Sequence, residues 1–196
     1  MQLRKQQKKT EKEIASKAPS STAETEAGSD DSAAETQATS TGAVVVYFSG
    51  TGNTEAVAQQ ISQILNVPLL KIEPTEPYTD DDLNYNDDNC RANREQQDES
   101  VRPAIANDLS EIVNYETIYL GYPIWWGTAP RIMDTFLETY DLSGKTVYAF
   151  CTSGESGIET SISELEKVSG INIVSGHRFS AGVSGADVKT WLDSLH

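Results

Sequence analysis

The stretch SGTGNTEAVAQQI, residues 49–61, carries two glycines and four hydroxyl or amide side chains in its first six positions, and no lysine or arginine anywhere. Before it stands AVVVYFS (43–49), a short β-branched and aromatic run without polar alternation. Such a run fits a central strand buried on both faces. After it, Val57, Ile61, Ile64 and Leu65 recur at helical spacing, which predicts a helix with one apolar face. The sequence therefore reads strand, glycine-rich loop, helix.

The same alternation continues along the chain. VPLLKI (67–72) reads as a second strand, and a polar insert follows over 74–110, with helical character around 88–99. TIYLGY (117–122) is a strand. Pro130 to Tyr140 is a helix that turns Ile132, Met133, Phe136, Leu137 and Tyr140 inward. KTVYAFC (145–151) is a strand, and Ile158, Ile162, Leu165 and Val168 mark a further helix. INIVSGHRF (171–179) is the fifth strand, and Asp187 to Leu195 a closing helix that buries Val188, Trp191, Leu192 and Leu195. Five strands alternating with helices predict an α/β fold with a parallel sheet covered on both faces. Ligands of such sheets sit beyond the carboxyl ends of the strands. The unusual loops all stand there: SGTGNT after the first strand, PIWWGT after the third, TSGESG after the fourth.

Composition narrows the function. The chain has 196 residues and a formal net charge of -15. That disfavours nucleic acid, which needs a basic footprint, and docking on anionic membrane. Residues 1–20 carry Arg4, Lys5, Lys8, Lys9, Lys12 and Lys17 against Glu11 and Glu13, and 21–42 carry five acids and no base. The remainder holds nine bases and 23 acids, so the acidity belongs to the part expected to fold. From Ala18 to Gly42 there is no aromatic or large aliphatic residue. Residues 1–42 are therefore expected to be a disordered low-complexity tail and 43–196 one domain. The opening MQLRKQQKK has the charge of a signal-peptide start without an apolar segment after it. No stretch approaches the ~20 apolar residues of a membrane span. Cys90 and Cys151 do not make a disulfide framework. They fit a reducing compartment and also many exported bacterial proteins; the expected location is cytoplasmic, the alternative being an exported protein tethered by an anchor outside this sequence.

Each loop carries its own chemistry. Gly50 and Gly52 allow positive φ and close backbone approach, and the helix that starts beside them directs unpaired N–H groups and its positive dipole end into the loop. With Ser49, Thr51, Asn53 and Thr54 as further donors, this is an anion site built from neutral dipoles. A triphosphate loop needs GxxxxGK[ST], and the lysine is missing; a dinucleotide loop needs GxGxxG, and 50–55 reads GTGNTE. The best match is the terminal phosphate of a monoester, the plainer alternative a helix-capping turn without ligand. In GYPIWWGTAP (121–130) the neighbours Trp125 and Trp126 cannot both enter one core, and an aromatic in a strand-end loop suits stacking on a planar ring. Gly127 permits a rotatable peptide beside such a ring. CTSGESG (151–157) offers Thr152, Ser153 and Gly154 at a ligand edge. It is not a nucleophile elbow, because Ile158 occupies the place of the required glycine. His177 and His196 form no triad, and with the cysteines they show no metal spacing. No catalytic residue and no metal ligand is assigned.

VVYFSGTGNTEAVA, GYPIWWGTAP, FLETYDLSGKTVYAFCTSGESG and the closing Trp191 together resemble a bacterial flavodoxin, in particular a subgroup often found with exported or lipoprotein-type leaders. The resemblance spans 43–196. It implies a doubly wound, three-layered fold with a five-stranded sheet of order 2-1-3-4-5 and non-covalent FMN. It places Ser49, Gly50, Thr51, Gly52, Asn53 and Thr54 on the FMN phosphate. Pro123, Ile124, Trp125, Trp126 and Gly127 would stand against the isoalloxazine, and Thr152, Ser153, Gly154 and Glu155 on its pyrimidine side. Better-known flavodoxins carry a second ring-stacking aromatic after the fourth strand, and 152–157 has none. One ring face is then open, or covered by Tyr78 or Tyr85 from the insert. Glu155 near the ring would disfavour the anionic reduced flavin and lower its potential. Cys151, at the end of a buried strand, is read as packing. The expected function is a monomeric electron carrier that meets redox proteins through a basic face on the partner. The alternatives are an FMN-dependent NAD(P)H:quinone-type reductase and a flavin-free binding module.

Overall fold

The computed structural model describes residues 42–195; the tail expected over 1–42 lies, but for Gly42, outside the described residues. Strand β1 (Ala43–Tyr47) is followed by helix α1 (Asn53–Leu65), strand β2 (Leu69–Lys71), helix α2 (Arg91–Gln97) and a 3-10 turn (Ser110–Asn114). Then come β3 (Thr117–Pro123), α3 (Arg131–Thr139), β4 (Thr146–Thr152), α4 (Glu159–Ser169), β5 (Ile173–Phe179) and α5 (Gly185–Asp193). The five strands make one sheet in the order β2-β1-β3-β4-β5, and every neighbouring pair is parallel.

Side-chain alternation along the central strands feeds two cores. Val44, Val46, Ile118, Leu120 and Tyr122 face α3 and α4, where Ile132, Met133, Phe136 and Leu165 complete the layer. Val45, Tyr47, Tyr119 and Phe150 face α1 and α5, meeting Val57, Ile61, Val188 and Trp191. Both faces being covered, the central strands read as continuous apolar runs. Among the described residues, no helix is long and apolar enough to cross a membrane.

Three details differ from the sequence expectation. Ile64 is 39% exposed, and Ala58 takes the inward place. The buried stripe of α1 is Thr54, Val57, Ala58 and Ile61, and Ile64 falls at its edge. The second strand keeps only Leu69–Lys71 of 67–72, because Asn66 closes α1 in the left-handed region (φ 52) and leaves a short edge strand. The insert is not merely polar: Tyr78, Leu83, Cys90, Ala92 and Leu109 anchor it in the core. A bridge between Pro74 and Ile105 closes its base, and its helix α2 falls within the expected 88–99.

Candidate functional site

The carboxyl ends of β1, β3, β4 and β5 surround a cleft of about 200 Å³. Thr51 and Asn53 line it from the loop after β1, Pro123, Ile124 and Trp125 from β3, and Thr152, Ser153 and Gly154 from β4. Ser180 and Ala181 line it from β5, and Tyr85 reaches it from the insert. Among the described residues, no lysine or arginine lines it.

The loop after β1 is held by its own polar groups. Gly52 takes φ 86 as the residue before α1, and its N–H donates to Ser49 Oγ at 3.0 Å. Asn53 Nδ2 donates to Thr51 Oγ1 at 3.1 Å. Among the described residues no side chain caps α1, so its first-turn N–H groups and positive dipole end stay available to an anion. Gly50 is in close approach: a Cβ there would lie 3.2 Å from Trp125 Cζ2 and 3.3 Å from Leu83 Cδ1, so those side chains would have to give by a few tenths of an ångström. Thr54 is turned inward, 1% exposed, and its hydroxyl pairs with that of Thr152 at 2.8 Å. Ser49 and Gly50 stand on the other side of the loop, where with Lys71, Glu73 and Tyr78 they border a second cavity.

The two tryptophans part company, as adjacent residues in a turn must. Trp125 is 2% exposed and meets Phe48 and Tyr78 edge-on, with centroids 5.7 and 5.1 Å away. Trp126 is 48% exposed and leans on Tyr85 at 5.0 Å, forming an aromatic ledge beside the cleft rather than its wall. Trp125 N–H donates to Thr128 O at 2.9 Å and Thr128 N–H to Trp125 O at 3.1 Å. Between them Trp126 (φ 50) and Gly127 (φ 85) are both left-handed, the pattern of a type I′ turn. A tryptophan there costs about 1 kcal/mol, so other contacts hold it. Gln96 of α2 supplies one, its Nε2 donating to Trp125 O at 2.9 Å and Ala129 O at 3.2 Å. Glu164 of α4 supplies another by accepting the Thr128 hydroxyl.

The opposite wall joins β4 to β5. Ser153 N–H donates to Phe179 O at 3.1 Å, and Arg178 Nη1 donates to Ser153 O at 3.0 Å and Gly154 O at 3.2 Å. Glu155 is exposed and off the cleft wall. Cys151 is fully buried beneath it, and burial pushes its thiol up to about 12, which suits packing rather than redox chemistry. His177 stacks on Trp191 at 5.8 Å, with its pKa lowered by burial and by Arg178.

The cleft thus gathers Thr51, Asn53, Pro123, Ile124, Trp125, Thr152, Ser153 and Gly154 from the residues expected to form it. Ser49, Gly50, Gly52, Thr54, Trp126, Gly127 and Glu155 support or flank it without lining it. Of the two insert tyrosines considered, Tyr85 reaches the cleft; Tyr78 lies behind Trp125 and donates to Glu95 Oε2. Ser180 and Ala181 went unseen, although the strand-end rule, applied to the fifth strand, points at them.

A family model described as flavodoxin matches residues 42–195. Curated proteins give no match. A protein from Bacteroides uniformis assigned as a flavoprotein is 39% identical over 77% of this chain and 97% of its own, with a TM-score of 0.73. Another so assigned, from Bacteroides eggerthii, is 36% identical over 78% of this chain and 96% of its own, with a TM-score of 0.71. A flavoprotein from Lactobacillus acidophilus, solved in complex with FMN, is 23% identical over 76% of this chain and 97% of its own, with a TM-score of 0.59.

Proposed function

The chain belongs to the flavodoxin family, and from that premise we propose that its cleft binds FMN and that the protein carries electrons between protein partners. The observation that carries this reading is the uncapped start of α1, set in a glycine and hydroxyl loop at the mouth of β1. Neutral donors and a helix dipole suit one phosphate monoester, and the cleft lining supplies no competing cation. The residues present fit the group: Thr51 and Asn53 with the α1 amides would hold the phosphate. Pro123, Ile124 and Trp125 offer an apolar wall for the ring, and Ser153 and Gly154 polar groups for its edge.

When bound, FMN supplies reversible one- and two-electron chemistry. The chain orients it and sets the field around it. Gln96 and Glu164 fix the turn that carries the Trp126–Gly127 peptide. Trp125, packed on Phe48 and Tyr78, gives that wall its rigidity. Partners are selected by charge. Asp80, Asp81, Asp87 and Asp88 are exposed and flank Tyr85 in sequence, and Tyr85 leans on Trp126. Acidic residues around an exposed aromatic edge favour encounter with a basic redox protein, at a rate that falls with salt.

A second reading, a reductase that passes electrons from a nicotinamide to a quinone-type acceptor, draws on the exposure of Tyr85 and Trp126, 57% and 48%. Exposed aromatic faces suit stacking on a second planar molecule. Stepwise reduction followed by absorbance separates the two: resolved one-electron steps favour the carrier, and a single two-electron step with rapid NADH oxidation favours the reductase. Asn53→Asp tests the phosphate site itself. A carboxylate there repels the phosphate, so FMN affinity should fall at least about tenfold, ~1.4 kcal/mol, while riboflavin, which has no phosphate, binds as before. Equal loss for both ligands, or none for FMN, rejects the assignment.

A further inference from the structure

Three arginines of this acidic domain answer a carboxylate: Arg91 pairs with Glu95 at 2.6 Å, Arg102 with Glu138 at 2.9 Å and Arg131 with Asp134 at 3.5 Å. Arg178 does not. Among the described residues its guanidinium contacts only oxygens of the cleft wall: Ser153 O at 3.0 Å, Gly154 O at 3.2 Å and Ser180 Oγ at 3.4 Å. All three residues line the cleft. Arg178 itself sits in β5, paired in register with Cys151 of β4, so the side chain rises behind the wall and knits the loop after β4 to the loop after β5.

Two consequences follow from that placement. Carbonyl oxygens accept the guanidinium hydrogens but carry no net charge, so the positive charge of Arg178 is not cancelled where it stands. Its field reaches the groups nearby: it lowers the pKa of His177 and opposes, in part, the upward push of burial on Cys151. With nine bases against 23 acids beyond residue 42, a cation kept free of a carboxylate at this wall runs against the average field of the domain.

We propose that Arg178 is a positioning and charge-bearing residue of the cofactor cleft: it locks the Ser153–Gly154 wall and sets a positive potential behind it, so that a ring resting there is held more tightly once reduced. The inference rests on the FMN reading above. Reduction adds negative charge to the ring, and a cation behind the pyrimidine side interacts more favourably with that form than with the neutral one. Arg178 thereby offsets the potential-lowering field of the acidic surface.

The test measures both one-electron midpoint potentials and the FMN affinity of the full chain, as wild type, Arg178→Lys and Arg178→Gln. Arg178→Gln should hold the reduced cofactor about tenfold less tightly, a fall of about 59 mV in a one-electron step. Arg178→Lys should keep the wild-type potential, since it keeps the charge. Equal shifts in both variants would reduce Arg178 to a structural clamp and overturn the proposal, as would FMN-loaded Arg178→Gln at the wild-type potential. Arg178→His repeats the experiment within one folded protein. Its potential should fall relative to wild type as the imidazole loses its charge between about pH 5 and 8, and parallel pH profiles would again overturn the proposal. A wild-type protein that binds no FMN is a separate result, seen before any variant is made, and it rejects the reading of the cleft.

Discussion

Thr54 and Thr152 lie 98 positions apart in sequence and share a hydrogen bond, Oγ1 to Oγ1, at 2.8 Å. It ties the first turn of α1 to the last residue of β4, beneath the cleft, and both side chains are buried. Thr54→Val removes one hydroxyl at nearly constant volume and leaves the other without this partner, which should cost about 1–3 kcal/mol. Adding Thr152→Val removes the orphaned group, so the double variant should be less destabilised than the sum of the singles. Denaturant titration of the four proteins measures the coupling, and additive effects would contradict it. Because this hydroxyl is committed to Thr152, Thr54→Val should leave FMN affinity nearly unchanged, since the proposed phosphate site draws on the Thr54 N–H, which the variant keeps.

The clamp on the tryptophan turn predicts a local effect. Gln96 Nε2 serves two carbonyls at once, Trp125 O and Ala129 O, and Trp126 stays left-handed inside the turn they bracket. Gln96→Ala should cost about 1–2 kcal/mol globally. It should also loosen the turn more than its surroundings, speeding amide exchange at Trp125 and Thr128 by roughly tenfold for each 1.4 kcal/mol of local stability lost. Exchange measured on the cofactor-free protein isolates the turn, and a uniform change across the sheet would show that Gln96 does nothing specific there.

Gly121 is constrained by space alone. A Cβ at this position would lie 2.2 Å from Phe150 Cζ and 2.5 Å from Cε2, and Phe150 is fully buried between sheet and helix. The residues are paired in register on neighbouring strands. The ring has nowhere to go, so Gly121→Ala should destabilise by about 3 kcal/mol or more. A shift of about 2–4 °C per kcal/mol in a domain of this size makes that visible in a thermal melt. Phe150→Leu opens the space and should recover part of the loss in the double variant, which an overpacking origin requires.

The strands and three of the cleft-forming loops were legible in the sequence because a doubly covered sheet leaves continuous apolar runs, and because ligand loops stand at strand ends. Val44 to Phe48 announces β1, and the glycine and hydroxyl cluster after it favours an anion site over a plain capping turn. Periodicity cannot report which of two adjacent aromatics turns inward. The division between Trp125 and Trp126 is set by Phe48, Tyr78 and the left-handed turn, all decided in three dimensions. Gln96 and Arg178 escaped for a related reason. Each acts through backbone oxygens of a distant loop, and such oxygens belong to every residue, so no side-chain pattern marks the pairing. The insert looked polar since its anchors, Tyr78, Leu83 and Ala92, are few and separated by acids.

Cys151 makes stability depend on alkaline pH, and the sign is fixed by where the proton stays. Burial raises its thiol from an ordinary 9.0 to about 12, so between those limits the folded chain keeps a proton that the unfolded chain gives up. The contribution is therefore present in full below about pH 9 and is lost as pH rises toward 12. The slope can reach at most about 1.4 kcal/mol per pH unit. Tyr47, raised by burial and then by Glu55 to about 12 from 10.0, adds to the loss at the upper end, so wild-type melts alone cannot isolate the thiol. Cys151→Ala does so by difference. It opens a small cavity whose cost, about 1 kcal/mol, does not vary with pH, and it has no thiol to ionise. The stability gap between wild type and variant, measured by denaturant unfolding of the cofactor-free proteins from pH 8 upward, should narrow above about pH 9 and then reverse. A constant gap would mean that the Cys151 thiol ionises as readily in the folded protein as in the unfolded chain, which its burial between β3 and β5 forbids.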